Sequence, residues 1–151
     1  MRRFALLLLS SAMTIGAFAG GPITWTFSAL QAADGQEMVQ LQAVCEAGWH
    51  IYALTLPRDD GPFPTVIRVT ESKDFEKGGD VAEPAPQEHE DPNFQMTVRY
   101  HEGKPVFTIP IKRHTQEAFT VSGEVEYMSC NDRTCLPPQV VKFNVIIPAA
   151  K

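Results

Sequence analysis

Apolar and polar residues alternate with a period of two along most of this chain. Ile23, Trp25 and Phe27 are interleaved with Thr24, Thr26 and Ser28, which predicts a strand with one buried face. After an Asp34-Gly35 turn, Val39, Leu41, Ala43 and Cys45 repeat the pattern, and Glu46-Ala47-Gly48 turns the chain into a strand from Trp49 to Leu54. Further strands are predicted over Thr65 to Thr70, Gln95 to Tyr100, Val106 to Ile111, Ala118 to Ser122, Glu124 to Met128 and Val140 to Ile147. In the last of these, Val141, Phe143, Val145 and Ile147 share a face. No apolar repeat at helical spacing continues beyond about two turns, and Pro and Gly punctuate the chain too often for long helices. Glu83 to Pro92, rich in Pro and acidic residues, reads as a long loop, and long loops on small sandwiches often carry function.

About eight short antiparallel strands at this spacing predict an all-β fold, an immunoglobulin-like β-sandwich. The N-terminus departs from the pattern. Arg2 and Arg3, an apolar stretch from Phe4 to Leu9 and the small-residue site Ala17-Phe18-Ala19 make a Sec-type signal peptide over residues 1–19, with cleavage expected after Ala19 and a folded domain over 20–151. The stretch is short for a membrane span, an uncleaved anchor being the alternative, and the domain is expected to work outside the cytoplasm, where disulfides persist. The net charge is −5, from 13 basic and 18 acidic residues among 151, and the basic residues are scattered. That distribution argues against nucleic acid as a partner, because phosphate binding needs a clustered basic surface.

Three cysteines carry the candidate chemistry. Cys130 and Cys135 enclose Asn131-Asp132-Arg133-Thr134, and an Asn-Asp turn brings two such residues within disulfide reach. So small a ring would stabilise by only about 2 kcal/mol. Placed in a turn, its sulfurs are expected to be accessible to another protein's thiol, which suits exchange; a structural clip is the other reading. Cys45 continues the inward register of Val39, Leu41 and Ala43, as a small buried hydrophobe with a protonated thiol would. Its rival is an inter-sheet Cys45 to Cys130 disulfide. Tyr127 and Trp49 lie at the wrong spacings from these cysteines for that arrangement.

Other constellations are weaker. His50, His89, His101 and His114 show no metal-ligand spacing, although Met128, Cys130 and Cys135 are soft ligands of the kind that hold Cu(I). No hydrolase, nucleotide or dinucleotide motif is present, and neither a cofactor nor a resident metal is expected. Phe94, beyond Pro92, is an apolar residue that a polar loop has no need to carry, and it is suited to covering something.

The run Tyr127-Met128-Ser129-Cys130-Asn131-Asp132-Arg133-Thr134-Cys135-Leu136-Pro137-Pro138, with Gly48-Trp49-His50-Ile51-Tyr52 and Gly61-Pro62-Phe63-Pro64-Thr65 before it, resembles the N-terminal periplasmic domain of the thiol:disulfide interchange protein DsbD family. The likeness runs from Pro22 to the final strand, and the cysteine pair followed by Leu-Pro-Pro is its most specific part. The resemblance implies a periplasmic, monomeric redox module. It would relay electrons from a thioredoxin-like or membrane thiol reductase donor to oxidised partners such as disulfide isomerases and cytochrome c maturation thioredoxins. It also implies that Cys135 exchanges and Cys130 resolves, that Asp91 and Phe94 belong to a cap loop over the pair, and that Tyr52 and Tyr100 lie near it. In the reduced form a Cys135 thiolate would attack a partner disulfide and Cys130 would displace the reduced partner. Arg133 favours that thiolate and Asp132 opposes it, so a passive electron carrier is expected. The chain departs from the family in its CX4C spacing, one residue short of the best-known members, in the extra Cys45, and in ending after this domain. Electrons are accordingly expected either by the family's intramolecular route or from a separately encoded partner. The alternative function is a non-enzymatic sandwich that binds a partner protein or copper and uses its disulfide only to pin a loop.

Overall fold

The structure, a computed structural model, describes residues 15–17 and 21–151. The expected signal peptide and its cleavage site otherwise lie outside the described residues. Numbered in chain order, the strands form three antiparallel sheets, and every strand the alternation predicts is present. The first sheet runs β1 (Ile15–Ala17), β2 (Ile23–Gln31), β3 (Glu37–Cys45), β9 (Val106–Arg113), β6 (Phe75–Lys77). The second runs β12 (Gln139–Ile147), β10 (Phe119–Tyr127), β5 (Val66–Thr70), and the third β11 (Ser129–Cys130), β4 (His50–Tyr52), β8 (Met96–His101), β7 (Gln87–Asp91).

The first two sheets close the sandwich. Ile23, Trp25 and Phe27 point inward from β2 and Val39, Leu41 and Ala43 from β3, facing Val125, Tyr127, Val141 and Phe143 of the second sheet. The Trp25 and Tyr127 rings are 5.5 Å apart and those of Phe27 and Phe143 5.0 Å, so aromatic contacts bridge the layers. Each large side chain buried there contributes about 1.5–3 kcal/mol.

Two predicted strands, either side of Gly123, are one. β10 runs unbroken because Gly123 lies opposite Phe143 in the ladder, and the Phe143 ring lies over it, where an added Cβ would come within 2.5 Å. The glycine makes room for a ring and does not end a strand. The predicted loop Glu83 to Pro92 is also corrected: Gln87–Asp91 is β7, paired with β8 in a hairpin whose turn holds Pro92 to Gln95. It is an edge strand with polar, largely exposed residues, so no apolar alternation announces it. Gln95 takes φ 53° in that turn, and β8 therefore starts one residue later than predicted.

The third sheet positions the site because its strand β4 is buried on both faces. Ile51 of β4 joins the sandwich core, while its neighbours His50 and Tyr52 point the other way, into a second cluster with Met96, Val98, Tyr100 and Cys130. The long excursion between β4 and β5 is closed at its base, where the Thr65 hydroxyl donates to Tyr52 O at 2.6 Å and Thr65 N–H to Ala53 O at 3.2 Å.

Candidate functional site

Register alone assembles the site. Across the third sheet His50 pairs with Cys130, Tyr52 with Tyr100, Tyr100 with Gln87, Val98 with His89 and Met96 with Asp91. Paired residues leave an antiparallel ladder on the same side, and alternate residues of one strand do too. His50, Tyr52, His89, Asp91, Tyr100 and Cys130 therefore share one face.

The cysteines close a small hairpin at the end of that face. Cys130 and Cys135 are disulfide-bonded, bridge each other across the turn and stand 4.1 Å apart at Cα. Asn131 builds the turn: its N–H donates to Thr134 O, and its side-chain oxygen accepts from the N–H groups of Arg133 and Thr134, all at 2.9 Å. Leu136 N–H donates to Ser129 O at 2.9 Å and locks the next pair. The two sulfur-bearing residues differ sharply in exposure. Cys130 is 0% exposed, packed with Tyr52, Met96, Val98 and Tyr100, whereas Cys135 is half-buried at the rim. The expectation that both sulfurs are accessible is thus corrected for Cys130. Between Tyr127 and Ser129 the chain leaves the second sheet for the third, which turns Cys130 away from the sandwich core and into the second cluster.

The β7–β8 turn lies against this hairpin. Asp91, wholly buried, accepts the Tyr52 hydroxyl at 2.6 Å through Oδ2 and Asn93 N–H at 2.8 Å through Oδ1, while its carbonyl accepts Gln95 N–H at 2.7 Å. One carboxylate thus ties the turn to the sheet. Asn93 Nδ2 then donates to Asn131 O at 2.9 Å, joining the turn directly to the cysteine hairpin. Phe94 is half-buried against the Cys130 cluster, edge-on to Tyr52 with ring centres 6.2 Å apart. Asp132 and Arg133 are exposed on the turn, and Tyr100 donates its hydroxyl to Gln87 Oε1 at 3.1 Å.

Burial, then the hydrogen bond to Asp91 and its charge, push the Tyr52 phenol far above its ordinary range, so it remains a proton donor. Burial likewise raises Tyr100, with Glu102 and Asp132 adding to it. Sequence reasoning left His50 and His89 as scattered histidines. The structure sets them edge-on, with ring centres 5.8 Å apart and Tyr100 edge-on at 5.2 Å and 4.2 Å from them respectively. The period-two pair His50-Ile51-Tyr52 is the signal that places His50 beside Tyr52.

Cys45 forms no disulfide. It is a buried thiol that donates weakly to His101 O at 3.9 Å, and burial pushes it up to about 12, out of reach of exchange at neutral pH. Among the described residues no three His, Cys, Asp or Glu side chains converge as a metal site would require. A cleft of about 750 Å³ opens between the loop after β4, lined by Leu56, Pro57 and Phe63, and the residues Met128 and Pro138 that flank the cysteine hairpin in the chain.

The sequence profile of the family described as thiol:disulfide interchange protein DsbD, N-terminal, matches residues 22–146. Among solved structures, the N-terminal periplasmic domain of ScsB from Proteus mirabilis is similar at a TM-score of 0.60 and 15% identity, over 89% of this chain and 51% of that one. This chain therefore spans about half the length of that solved domain. The Neisseria meningitidis DsbD N-terminal domain in its reduced form is similar at 0.55 and 16% identity, over 84% of this chain and 86% of that one. At these identities the likeness is one of fold. A search of curated proteins finds no match. The match over nearly all the described residues, on an immunoglobulin-like sandwich that presents a cysteine pair, makes this chain a member of the DsbD N-terminal domain family, whose members are thiol-disulfide exchange modules.

Proposed function

We propose that the chain is a periplasmic electron relay in which Cys135 exchanges with partner disulfides and Cys130 resolves the mixed disulfide. The observation that carries this reading is the asymmetry of the pair: Cys130 is sealed in the second cluster, and Cys135 stands at the rim. An incoming thiolate needs access to the sulfur it attacks, so attack falls on Cys135 and leaves Cys130 as the departing sulfur. A structural role has little support. The bond joins residues five apart within one hairpin and constrains little of the unfolded chain.

Phe94 and the β7–β8 turn act as the lid, held by Asp91 and by the Asn93 to Asn131 bond, and a partner displaces them. Asp132, Arg133 and the rim of the neighbouring cleft meet the partner's surface. The partners are thioredoxin-like proteins and a membrane thiol reductase, as the family and its periplasmic members suggest. A Sec-type signal peptide over residues 1–19 fits that location. The test uses single-cysteine variants. Reduced Cys130→Ser, incubated with an oxidised thioredoxin-like protein, accumulates a mixed disulfide through Cys135. Cys135→Ser traps none; the reverse pattern, or capture by neither, refutes the assignment.

A further inference from the structure

Among the described residues, His50 Nε2 is buried and has no hydrogen-bond partner. Its neighbour Asp91 Oδ2 lies 3.8 Å away, too far for a hydrogen bond, and that oxygen already accepts from Tyr52. Buried polar atoms are nearly always paired, so an unused ring nitrogen beside a reactive cysteine needs a reason. His50 is also the direct ladder partner of Cys130, which sets the two side chains side by side on one face. Cys130 is wholly buried, and burial holds a thiol in its unreactive, protonated form.

We propose that His50 is the base that takes the Cys130 proton when Cys130 resolves a mixed disulfide. The assignment rests on the exchange reading above. With a partner sulfur bonded to Cys135, the Cys130 S–H proton passes to His50 Nε2 and the Cys130 thiolate attacks Cys135 Sγ. The Cys130–Cys135 bond forms as the bond between Cys135 and the partner sulfur breaks. The departing sulfur leaves with that bond's electron pair and takes a proton from the imidazolium. Two electrons have then moved from the dithiol to the partner, and His50 is again neutral. When a donor reduces the pair, the same imidazole takes the proton of the attacking donor thiol and supplies it to the departing Cys130 sulfur.

The surroundings suit both halves of the cycle. Asp91 and His89 face His50 from β7, Tyr100 from β8 with Glu102 just beyond it, Tyr52 from its own strand and Asp132 from the cysteine turn. Burial lowers the imidazole below its ordinary 6.5, with His89 adding to the effect, so the ring is neutral and ready to accept near pH 7. Asp91, Glu102 and Asp132 act in the opposite sense and stabilise the imidazolium once it forms.

The test mixes the reduced protein with Ellman's reagent and follows release of thionitrobenzoate. Capture by Cys135 releases one equivalent and resolution by Cys130 the second, while buried Cys45 stays silent. His50→Gln and His50→Tyr, each checked for native circular dichroism, are expected to slow the second phase about a hundredfold at neutral pH, the scale of general-base catalysis. The wild-type second phase should fall as pH drops through the His50 titration, and the variants' second phase should instead keep rising into the alkaline range. Capture should change by less than about threefold, since a base acting only on Cys130 leaves the first step alone. In the unmutated protein, the His50 ring followed by NMR should titrate at different pH in the disulfide and dithiol forms. A second phase with wild-type rate and pH profile, an equal loss in both phases, or an identical His50 titration in the two forms overturns the assignment. If the wild-type dithiol, with both thiols counted free, shows no first phase at all, the exchange reading itself fails. A normal first phase followed by a His50-independent second phase sinks only the role of His50.

Discussion

Replacing Asp91 with Ala removes the acceptor on which the lid is hung. Tyr52 loses the partner of its buried hydroxyl at 2.6 Å, and Asn93 N–H loses the 2.8 Å bond that shapes the β7–β8 turn. Hydrogen bonds to a charged acceptor contribute about 1.5–3 kcal/mol each, and removing a buried carboxylate returns part of that by relieving its desolvation. The net loss is expected at about 2–4 kcal/mol, read as a lower urea midpoint at unchanged slope. Part of it falls on lid opening alone, because Asn93 also reaches the cysteine hairpin through Asn131 O. Each 1.4 kcal/mol lost there raises the open population about tenfold, so glutathione should reduce the Cys130–Cys135 bond about ten times faster. Asp91→Asn keeps an acceptor for Asn93 N–H and should lose about half as much. An alanine variant within about 0.5 kcal/mol of the parent, reduced at the parent rate, would show that the carboxylate does not hold the lid.

Phe94→Ala should speed reduction by glutathione severalfold while costing at most about 2 kcal/mol, since the ring is only half-buried; alkylation trapping reads the rate, and an unchanged one refutes the lid. Gly123→Ala should destabilise by at least about 2 kcal/mol in urea unfolding, because its Cβ meets the Phe143 ring and the Arg68 carbonyl. Stability should decline above pH 9, because Cys45 ionises at its ordinary 9.0 when unfolded but only near 12 when folded, with Tyr52, Tyr100 and Tyr127 shifted in the same sense. The Cys45 contribution is fully present below 9 and lost as pH rises through 12; it reaches about 4 kcal/mol and disappears in Cys45→Ala, and an unchanged alkaline profile in that variant contradicts it.

The sandwich was legible because its strands bury one face each: Val39, Leu41, Ala43 and Cys45, like Ile23, Trp25 and Phe27, sit inward as their alternation requires. β6 and β7 were not, since β6 carries a single buried residue, Phe75, and β7 is a polar edge whose one fully buried side chain is a carboxylate. Strand β4 breaks the one-face rule outright, with His50, Ile51 and Tyr52 all buried, and period-two reasoning cannot assign such a strand two cores. The cysteine pair was legible from spacing and resemblance. The depth of Cys130 was not, because it depends on where the chain changes sheets after Tyr127. Asp91 was placed by resemblance alone and Phe94 by resemblance and its apolar character in a polar loop, whereas Asn93, Asn131 and His50 entered the site only through contacts between strands distant in sequence.

The most direct test of the redox claim is an equilibrium titration of residues 20–151 in glutathione and dithiothreitol buffers, with alkylation and peptide mapping at each point. A Cys130–Cys135 couple at about −200 to −270 mV, with Cys45 a free thiol throughout, is the predicted result. A couple that resists reduction below about −300 mV, or a Cys45–Cys130 bond, would contradict it and leave a structural disulfide in a binding module.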